Sequence, residues 1–205
     1  NRLAGVPFLD ASGEISPGRI FWVNSTGGSA DANGGYRTPL ATITQAIAAS
    51  VASKGDIIYC MPGHDETISA AGGLTISKAG VSIIGLGNGT NRPTLTYSAT
   101  TSTTLVTAAD AYISNIRFVS AINNLATFIT VSANHCTIEN CNFVTSAAME
   151  AYCFINLTTT YDYLTVRGCR FIQPSDPEGT SAAAGTGAIY LVDSEFMTIE
   201  NCQFV

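Results

Sequence analysis

The chain has 205 residues, of which 46% are hydrophobic and 12% charged, and its formal net charge is −6. This length supports one sizeable core and therefore one domain. The acid excess, with no basic run, argues against nucleic-acid binding and gives little long-range attraction toward acidic polysaccharides. No apolar run reaches the roughly 18 residues of a membrane-spanning helix, so no membrane partner is predicted.

The first part of the chain contains one strand pattern and one helix pattern. We expect residues 1–20 to form an extended, irregular lead-in and residues 21–24 to form a first strand. Residues 25–39 are rich in glycine, asparagine, serine and aspartate, which indicates a loop. Residues 40–53 predict a helix, because their apolar side chains recur at helical spacing: Ile43, Ala46, Ile47 and Val51.

A buried strand and a turn follow this helix. Residues 57–61 are mostly apolar, and Pro62-Gly63 turns the chain out of them. The polar triplet His64-Asp65-Glu66 comes directly after the turn, where exposed polar residues are common. We therefore expect it to lie on the surface and to hold neither a proton-transfer group nor a metal.

A short phrase then returns along the rest of the chain. Its copies are residues 81–87, 112–118, 137–143, 165–171 and 198–204. The equivalent apolar anchors are Ile83, Ile113, Ile138, Val166 and Ile199, at steps of 30, 25, 28 and 33 residues. Repeats of this length indicate a stacked architecture in which each copy adds one layer.

Each copy alternates apolar and polar residues, which predicts strands with one buried face. The alternation changes phase at Gly85, Asn115, Asn140, Gly168 and Asn201. Glycine and asparagine tolerate the left-handed backbone region, so each copy should be two short strands joined by a one-residue bend. A third strand is expected ahead of each copy, at residues 104–107, 127–131, 153–157 and 188–192.

Three strands per repeat and loops of unequal length predict an all-β fold, a right-handed single-stranded parallel β-helix. The helix at 40–53 would cap its open N-terminal end. We assign residues 21–80 to the cap and first coil and residues 81–205 to further coils. Because the last copy ends without a capping segment, we expect the native polypeptide to continue beyond Val205.

Stacking of equivalent residues about 4.8 Å apart predicts columns of side chains along the molecule. Two columns should lie inside: Ile116, Cys141, Cys169 and Cys202, and Phe118, Phe143, Phe171 and Phe204. One column should lie outside: Ser114, Glu139, Arg167 and Glu200.

The ordered series of motifs resembles the start of pectate-lyase-like β-helix proteins. The motifs are Phe-Trp-Val-Asn at 21–24, Gly-Gly-Tyr-Arg-Thr-Pro-Leu-Ala-Thr-Ile-Thr-Gln-Ala-Ile at 34–47, Gly-Asp-Ile-Ile-Tyr-Cys-Met-Pro-Gly-His at 55–64 and Ile-Ile-Gly-Leu-Gly at 83–87. This superfamily includes polysaccharide lyases, glycoside hydrolases, bacterial surface proteins and phage tailspikes. The resemblance implies the fold over about residues 20–205, and it implies no activity because these motifs are scaffold.

Polysaccharide cleavage needs clustered carboxylates, and the repeats contain no adjacent pair. Hydrolases place two carboxylates about 5 Å or 6.5–9.5 Å apart, and lyases of the resembled superfamily typically combine a calcium-holding aspartate cluster with an arginine base. Glu139 and Glu200 are equivalent but two coils apart, so we predict a salt-bridged surface column with Arg167 between them.

His135 is expected to be an ordinary turn residue, and residues 31–34 match only part of a calcium loop. We therefore predict no catalytic residue, metal or cofactor in this segment, and the enzymatic assignment stays open.

The cysteines are predicted to be small buried side chains. They are Cys60, Cys136, Cys141, Cys153, Cys169 and Cys202, and their spacing does not match a zinc site. Disulfides between adjacent coils are geometrically conceivable, whereas free thiols suit assembly in a reducing cytoplasm.

Exposed aromatic side chains are candidates for sugar stacking. Tyr97, Tyr152, Tyr161 and Tyr163 fall at positions that are expected to be exposed. We single out Tyr161, Asp162 and Tyr163 as a binding site for a glycan or a protein, because they lie where a loop meets a strand.

These observations favour a structural protein of a bacteriophage virion, assembled in the host cytoplasm. Such a tailspike, head fibre or capsid-decoration protein would be a homotrimer that contacts other virion proteins and a cell-surface polysaccharide. One alternative is a polysaccharide lyase or glycoside hydrolase whose site lies outside this segment. Another is a bacterial surface or adhesion β-helix.

Overall fold

The fold is seen in a computed structural model of the chain. The structure describes residues 18–146, 148–158, 161–173, 187–192 and 195–205, together with two short paired strands at Arg2–Leu3 and Val6–Pro7. Most of the lead-in expected at 1–20 and most of the variable loop expected at 172–187 lie outside the described residues.

The described residues form three parallel sheets that share one core. The seven-stranded sheet consists of Ile20–Val23, Ile57–Cys60, Ser82–Gly85, Tyr112–Ser114, Thr137–Glu139, Thr165–Arg167 and Thr198–Glu200. The six-stranded sheet consists of Asp65–Ile68, Thr94–Tyr97, Arg117–Ser120, Asn142–Val144, Arg170–Ile172 and Gln203–Phe204. The five-stranded sheet consists of Leu74–Ile76, Thr104–Val106, Leu125–Val131, Ala151–Leu157 and Gly187–Leu191. Each of the five complete coils thus contributes one strand to each sheet, which is the arrangement of a parallel β-helix.

The register predicted from the repeat is confirmed. Ile83, Ile113, Ile138, Val166 and Ile199 pair in that order, coil after coil. The same column extends toward the N-terminus through Ile58 and Phe21, which the repeat did not reveal. Because register fixes which side chains point inward, the apolar anchors of all coils meet in one core.

A ladder of phenylalanine rings runs through the core, and we call it the inner ladder. It comprises Phe118, Phe143, Phe171 and Phe204, whose successive ring centroids are 4.7, 4.9 and 5.0 Å apart and nearly parallel. The first three rings are buried, whereas Phe204 in the last described coil is exposed. Full burial of one such side chain stabilises the fold by about 3 kcal/mol.

The one-residue bend between the seven- and six-stranded sheets has the predicted left-handed backbone at Asn115, Asn140, Gly168 and Asn201, with φ of 57°, 53°, 61° and 53°. Asn115 also turns its amide back onto the scaffold and donates hydrogen bonds to the carbonyls of Gly85 and Gly87, at 2.8 and 2.9 Å. Gly85 was wrongly expected to share this conformation. It lies in a strand, and it is glycine because a Cβ there would come within 2.2 Å of the Asn115 carbonyl oxygen.

The helix is shorter than the predicted 40–53 and spans Ile43–Ala49. It begins at a capping box, in which Thr42 accepts from the Gln45 N–H while the Gln45 side chain accepts from the Thr42 N–H. It ends because the Asp56 carboxylate accepts the N–H of Val51 at 2.7 Å, and Val51 is half exposed rather than buried. Ile43, Ala46 and Ile47 face the core, and the helix packs against strands Ile20–Val23, Ile57–Cys60 and Leu74–Ile76.

The thiols are free in the structure, and Cys141 and Cys169 stack inside successive coils as predicted. Cys202 continues the column but is only half buried. Burial raises the pKa of the Cys136 thiol to about 11 and also raises the pKa of the Cys141 thiol, so both stay protonated at neutral pH. Ser114 lies in the predicted outer column, since it pairs with Glu139, but it is buried there rather than exposed. Within the described residues, the helical segments are too short or too polar to cross a membrane.

Candidate functional site

A second left-handed corner lies just before each strand of the seven-stranded sheet. In four successive coils it is occupied by Asp110, His135, Tyr163 and Phe196, with φ of 58°, 56°, 60° and 55°. The backbone N–H of Asp110, His135 and Tyr163 donates to a carbonyl of the next coil, at 3.2, 3.1 and 3.2 Å. The corner therefore repeats in backbone geometry: Gly55 and Gly80 occupy it in the two preceding coils, with φ of 69° and 70°, and the four later coils carry four different residue types.

Three aromatic side chains stack along this corner on the surface, and we call them the corner row. The His135 and Tyr163 rings are 4.7 Å apart, and the Tyr163 and Phe196 rings are 4.9 Å apart with an 8° angle between their planes. Tyr163 is 45% exposed and Phe196 65% exposed. The coil spacing alone places these rings at stacking distance, so any aromatic residues at this corner would form such a row.

The backbone conformation of the corner row is costly. A bulky side chain at positive φ raises the energy by about 1–2 kcal/mol, and Tyr163 and Phe196 both adopt it. Glycine or asparagine would avoid most of this cost, as they do at the other bend. Stacking of exposed rings returns about 0.5–1.5 kcal/mol per pair, which leaves little net gain in stability. A costly conformation that brings little stability is typical of functional sites.

A row of polar groups lies immediately before the corner row. The Asp162 N–H donates to Asn134 Oδ1 at 3.0 Å, and the Glu195 N–H donates to Asp162 Oδ1 at 2.8 Å. Asp110 Oδ1 lies 4.0 Å from His135 Nδ1, with both side chains largely exposed. Carboxylates and an amide thus border the aromatic rings on one side.

The structure places the predicted binding residues Tyr161, Asp162 and Tyr163 at this corner with different exposures. Tyr163 is in the centre of the corner row and Asp162 is in the polar row, whereas Tyr161 is partly buried against the core. Sequence reasoning missed His135 and Phe196, although equal backbone positions in successive coils could have indicated both.

Among the other tyrosines, the prediction that Tyr97 is exposed was wrong. It is fully buried, its hydroxyl is 2.6 Å from Thr104 Oγ1, and burial raises its pKa. The alternation of Thr94-Leu95-Thr96-Tyr97 already placed Tyr97 on the inward face together with Leu95. Tyr152 is half buried, on the five-stranded sheet.

Stacking decides what the corner row can contact. Both faces of the Tyr163 ring are covered, one by His135 and the other by Phe196, so only its edge and hydroxyl point to solvent. Among the described residues, no ring packs on the face of Phe196 that points away from Tyr163. The site therefore offers exposed ring edges, one phenol hydroxyl and the Asp162 carboxylate.

A separate polar cluster lies on the outer face of the seven-stranded sheet. The Tyr112 hydroxyl donates to Glu139 Oε2 at 2.5 Å, and Arg167 Nη2 donates to the same oxygen at 2.9 Å. These two donors lower the pKa of Glu139, while burial together with the Glu139 bond raises the pKa of Tyr112. Glu139 is thus held ionised and Tyr112 protonated, which suits a structural ion pair better than proton transfer. The predicted pairing of Glu139 with Arg167 is confirmed.

The triplet at 64–66 was wrongly expected to be wholly exposed, because His64 is buried. His64 Nδ1 accepts the Ser25 N–H at 2.9 Å, and Nε2 lies 2.7 Å from Glu66 Oε1. Since Nδ1 accepts, the proton is on Nε2 and is donated to Glu66, which also accepts the Ile43 N–H at 2.6 Å. His64 therefore joins the 25–39 loop, the helix start and the six-stranded sheet, and both of its nitrogens are used.

In the described part of the chain, no group of three or more histidine, cysteine, aspartate or glutamate residues is arranged to hold a metal ion. The partial calcium motif at 31–34 uses Asn33 Oδ1 internally, where it accepts from the Gly35 N–H and from the Thr38 hydroxyl.

Comparison with models of known protein families finds no match, and comparison with curated proteins finds none either. Among solved structures, the chain is similar to one described as a rhamnogalacturonan lyase, with a TM-score of 0.63 and 15% sequence identity. The match covers 91% of this chain and 51% of that one, so the chain spans about half the length of the matched structure. This likeness shows the parallel β-helix fold.

Proposed function

We propose that this chain is a rigid β-helical structural protein of a bacteriophage particle that contacts a host-surface polysaccharide at its corner row. The observation that carries the proposal is the corner row itself, in which His135, Tyr163 and Phe196 are stacked and exposed on a backbone that costs energy. Tailspikes, head fibres and capsid-decoration proteins are the classes of virion protein that this combination of rigidity and surface binding would serve.

The chemistry of the corner row fits a sugar ring. The apolar C–H side of a pyranose would pack against the exposed edges of the Tyr163 and Phe196 rings. The Tyr163 hydroxyl and the Asp162 carboxylate would then hydrogen-bond to sugar hydroxyls at the ring edge. Tyr161 would support this contact from below by packing against the core.

A binding measurement with matched variants tests the sugar contact. Titration of a panel of cell-surface polysaccharides should find one that binds the wild type, and Phe196→Ala should weaken that binding about tenfold or more. Tyr36→Ala is the control, because Tyr36 is as exposed as Phe196 but packs against Trp22 in another part of the molecule. Equal weakening by both variants, or by neither, would remove the corner row from the proposal.

The virion location, the homotrimeric state and the partnership with other virion proteins belong to the same proposal. The buried free thiols support assembly in a reducing cytoplasm. Co-sedimentation of the protein with purified phage particles tests the location. Sedimentation equilibrium tests the trimer, and a mass of one chain of 21.4 kDa would contradict it.

We also propose that the Ile43–Ala49 helix is the N-terminal cap, since its apolar side packs on strands from the first coils. Replacing Ile47 by Asp should then expose the core and promote association of the coils end to end, which light scattering would detect.

A polysaccharide lyase is a second candidate, because the matched solved structure carries that description. Its test is the release of unsaturated, ultraviolet-absorbing products from a panel of acidic polysaccharides. Activity that is lost in Arg167→Gln but kept in the exposed control Arg37→Gln would support this candidate. Absence of products, together with binding at the corner row, would support the structural protein.

A further inference from the structure

The chain contains two Asn-Gly pairs, Asn33-Gly34 and Asn88-Gly89, and the structure holds them differently. Such a pair can modify itself, because the backbone nitrogen of the glycine can reach the side-chain carbonyl carbon of the asparagine. Glycine favours the reaction, since it has no Cβ to obstruct the approach and turns freely about its backbone bonds. In a folded chain the outcome therefore depends on the contacts of these two groups.

The first pair is held on both sides. Asn33 Oδ1 accepts from the Gly35 N–H at 3.0 Å and from the Thr38 hydroxyl at 2.5 Å. The Gly34 N–H donates to the Thr38 carbonyl at 3.1 Å. Gly34 is also crowded by the core, since a Cβ there would lie 2.8 Å from Phe21 Cδ1. Attack by the Gly34 nitrogen on the Asn33 side chain must therefore first break these hydrogen bonds, and each break costs free energy.

The second pair lies in the exposed connection between strands Ser82–Gly85 and Thr94–Tyr97. The Asn88 side chain caps no backbone group. Among the described residues, neither this side chain nor the Gly89 N–H has a hydrogen-bond partner. The space around Gly89 is open, since a Cβ there would meet no atom within 4 Å. The two reacting groups of this pair are therefore free to meet.

We propose that Asn88 is a site of spontaneous deamidation, in which the backbone nitrogen of Gly89 attacks Cγ of Asn88. A bond forms between this nitrogen and Cγ, the bond between Cγ and Nδ2 breaks, and Nδ2 leaves as ammonia with the proton of the Gly89 N–H. Water then opens the cyclic imide at either carbonyl and leaves aspartate or isoaspartate at position 88. No atom is oxidised or reduced, and the ring closure is intramolecular, which makes it fast where the two groups can meet.

The modification changes both charge and backbone at this connection. Either product adds one carboxylate to a chain whose formal net charge is −6. In the isoaspartyl product the backbone runs through the former side chain and is one carbon longer. The Asn91 N–H donates to the Asn88 carbonyl at 3.0 Å, and the Asn91 carbonyl accepts the Gly63 N–H at 2.8 Å. Isoaspartate should therefore loosen the turn at 88–91 and its contact with Gly63. The proposal does not depend on the corner row.

Peptide mass mapping of the folded protein during incubation in mildly alkaline buffer tests the proposal. The peptide that contains Asn88 should gain one mass unit, at least about tenfold faster than the peptide that contains Asn33. The same protein unfolded in urea is the control, because both pairs are then free and should convert at similar rates. Asn88→Gln should abolish the gain at position 88. Thr38→Ala removes the hydroxyl that holds Asn33 and should speed conversion there by about threefold to tenfold, with Asn88 unaffected.

A second measurement identifies the route. An isoaspartyl methyltransferase with labelled S-adenosylmethionine should label the aged wild type and not the aged Asn88→Gln variant. Three results would overturn the proposal. They are equal conversion of Asn33 and Asn88 in the folded protein, no mass gain at Asn88 while the unfolded chain converts, and a mass gain without label. The last result would mean direct hydrolysis of the amide, because only the cyclic imide leads to isoaspartate.

Discussion

Two aromatic ladders run along this molecule with almost the same spacing, and they differ in burial and backbone. The inner ladder has ring separations of 4.7 to 5.0 Å, and the corner row has 4.7 and 4.9 Å. The rings of Phe118, Phe143 and Phe171 are buried and lie on regular strands, whereas Tyr163 and Phe196 are exposed on left-handed backbone. Stacking of the coils therefore places equivalent side chains in ladders both inside and outside. Burial decides whether such a ladder stabilises the fold or remains available to a ligand.

The largest difference in stability between substitutions at neighbouring positions is expected at 169 and 170. Cys169 is buried and Arg170 is exposed. Cys169→Asp should cost about 5 kcal/mol or prevent folding, because it buries an unpaired charge, whereas Arg170→Asp should cost less than about 1 kcal/mol. Urea unfolding of both variants measures the difference, and tolerance of Cys169→Asp would mean that the register is wrong.

The two ladders should respond differently to loss of one ring. Phe143→Ala should lower the free energy of unfolding by about 3–5 kcal/mol, since it leaves a cavity in the core. Tyr163→Ala should change it by less than about 1 kcal/mol, because Tyr163 is exposed and its removal leaves no cavity in the core. Guanidinium unfolding curves for the two variants provide the comparison. A cost for Tyr163→Ala that approaches that of Phe143→Ala would make the corner row structural.

The two left-handed corners should also differ. A Cβ at Gly168 would lie 2.4 Å from Asn140 Oδ1, on backbone with φ of 61°. Gly168→Ala should therefore cost about 1–3 kcal/mol, whereas Phe196→Gly at the corner row should be nearly neutral. Thermal unfolding would show the contrast, and a neutral Gly168→Ala would contradict the crowded bend.

The smallest effect is expected on the outer sheet face. The pKa of Glu139 is lowered in the folded chain, so its contribution to stability is present above its ordinary pKa of about 4.3 and is lost as pH falls through the folded value. Glu139→Gln should reduce stability at pH 7 by less than about 1 kcal/mol, because the pair is partly exposed, and should match the wild type near pH 2. If Glu139→Gln and the wild type were equally stable at pH 7 as well as near pH 2, the ion pair would contribute nothing to the free energy of unfolding.

The repeat predicted the buried columns because burial and the bend restrict residue type. Only glycine or asparagine suits the bend, and only apolar residues suit the anchors. The period could therefore be recognised from the residue types in the sequence. The corner row was only partly found, since Asp110, His135, Tyr163 and Phe196 share a backbone conformation and no chemical type. Tyr163 was identified as an exposed tyrosine, and its stacking partners lie at the repeat steps of 28 and 33 residues, which were used only for the columns inside and outside the strands.

The polar network around His64 escaped prediction for a different reason. Its partners, Ser25 and Ile43, lie far from it along the chain and become neighbours only when the coil closes. A Pro-Gly turn ahead of a polar triplet is an ordinary surface pattern, so the sequence contained no local indication of burial.

The most direct test of the central claim, that the corner row serves binding rather than stability, is a paired measurement on the double variant Tyr163→Ala, Phe196→Ala. Its free energy of unfolding and its affinity for the polysaccharide that binds the wild type are measured together. We predict an unfolding free energy within about 1 kcal/mol of the wild type and an affinity reduced at least about tenfold. A loss of several kcal/mol with unchanged affinity would contradict the claim.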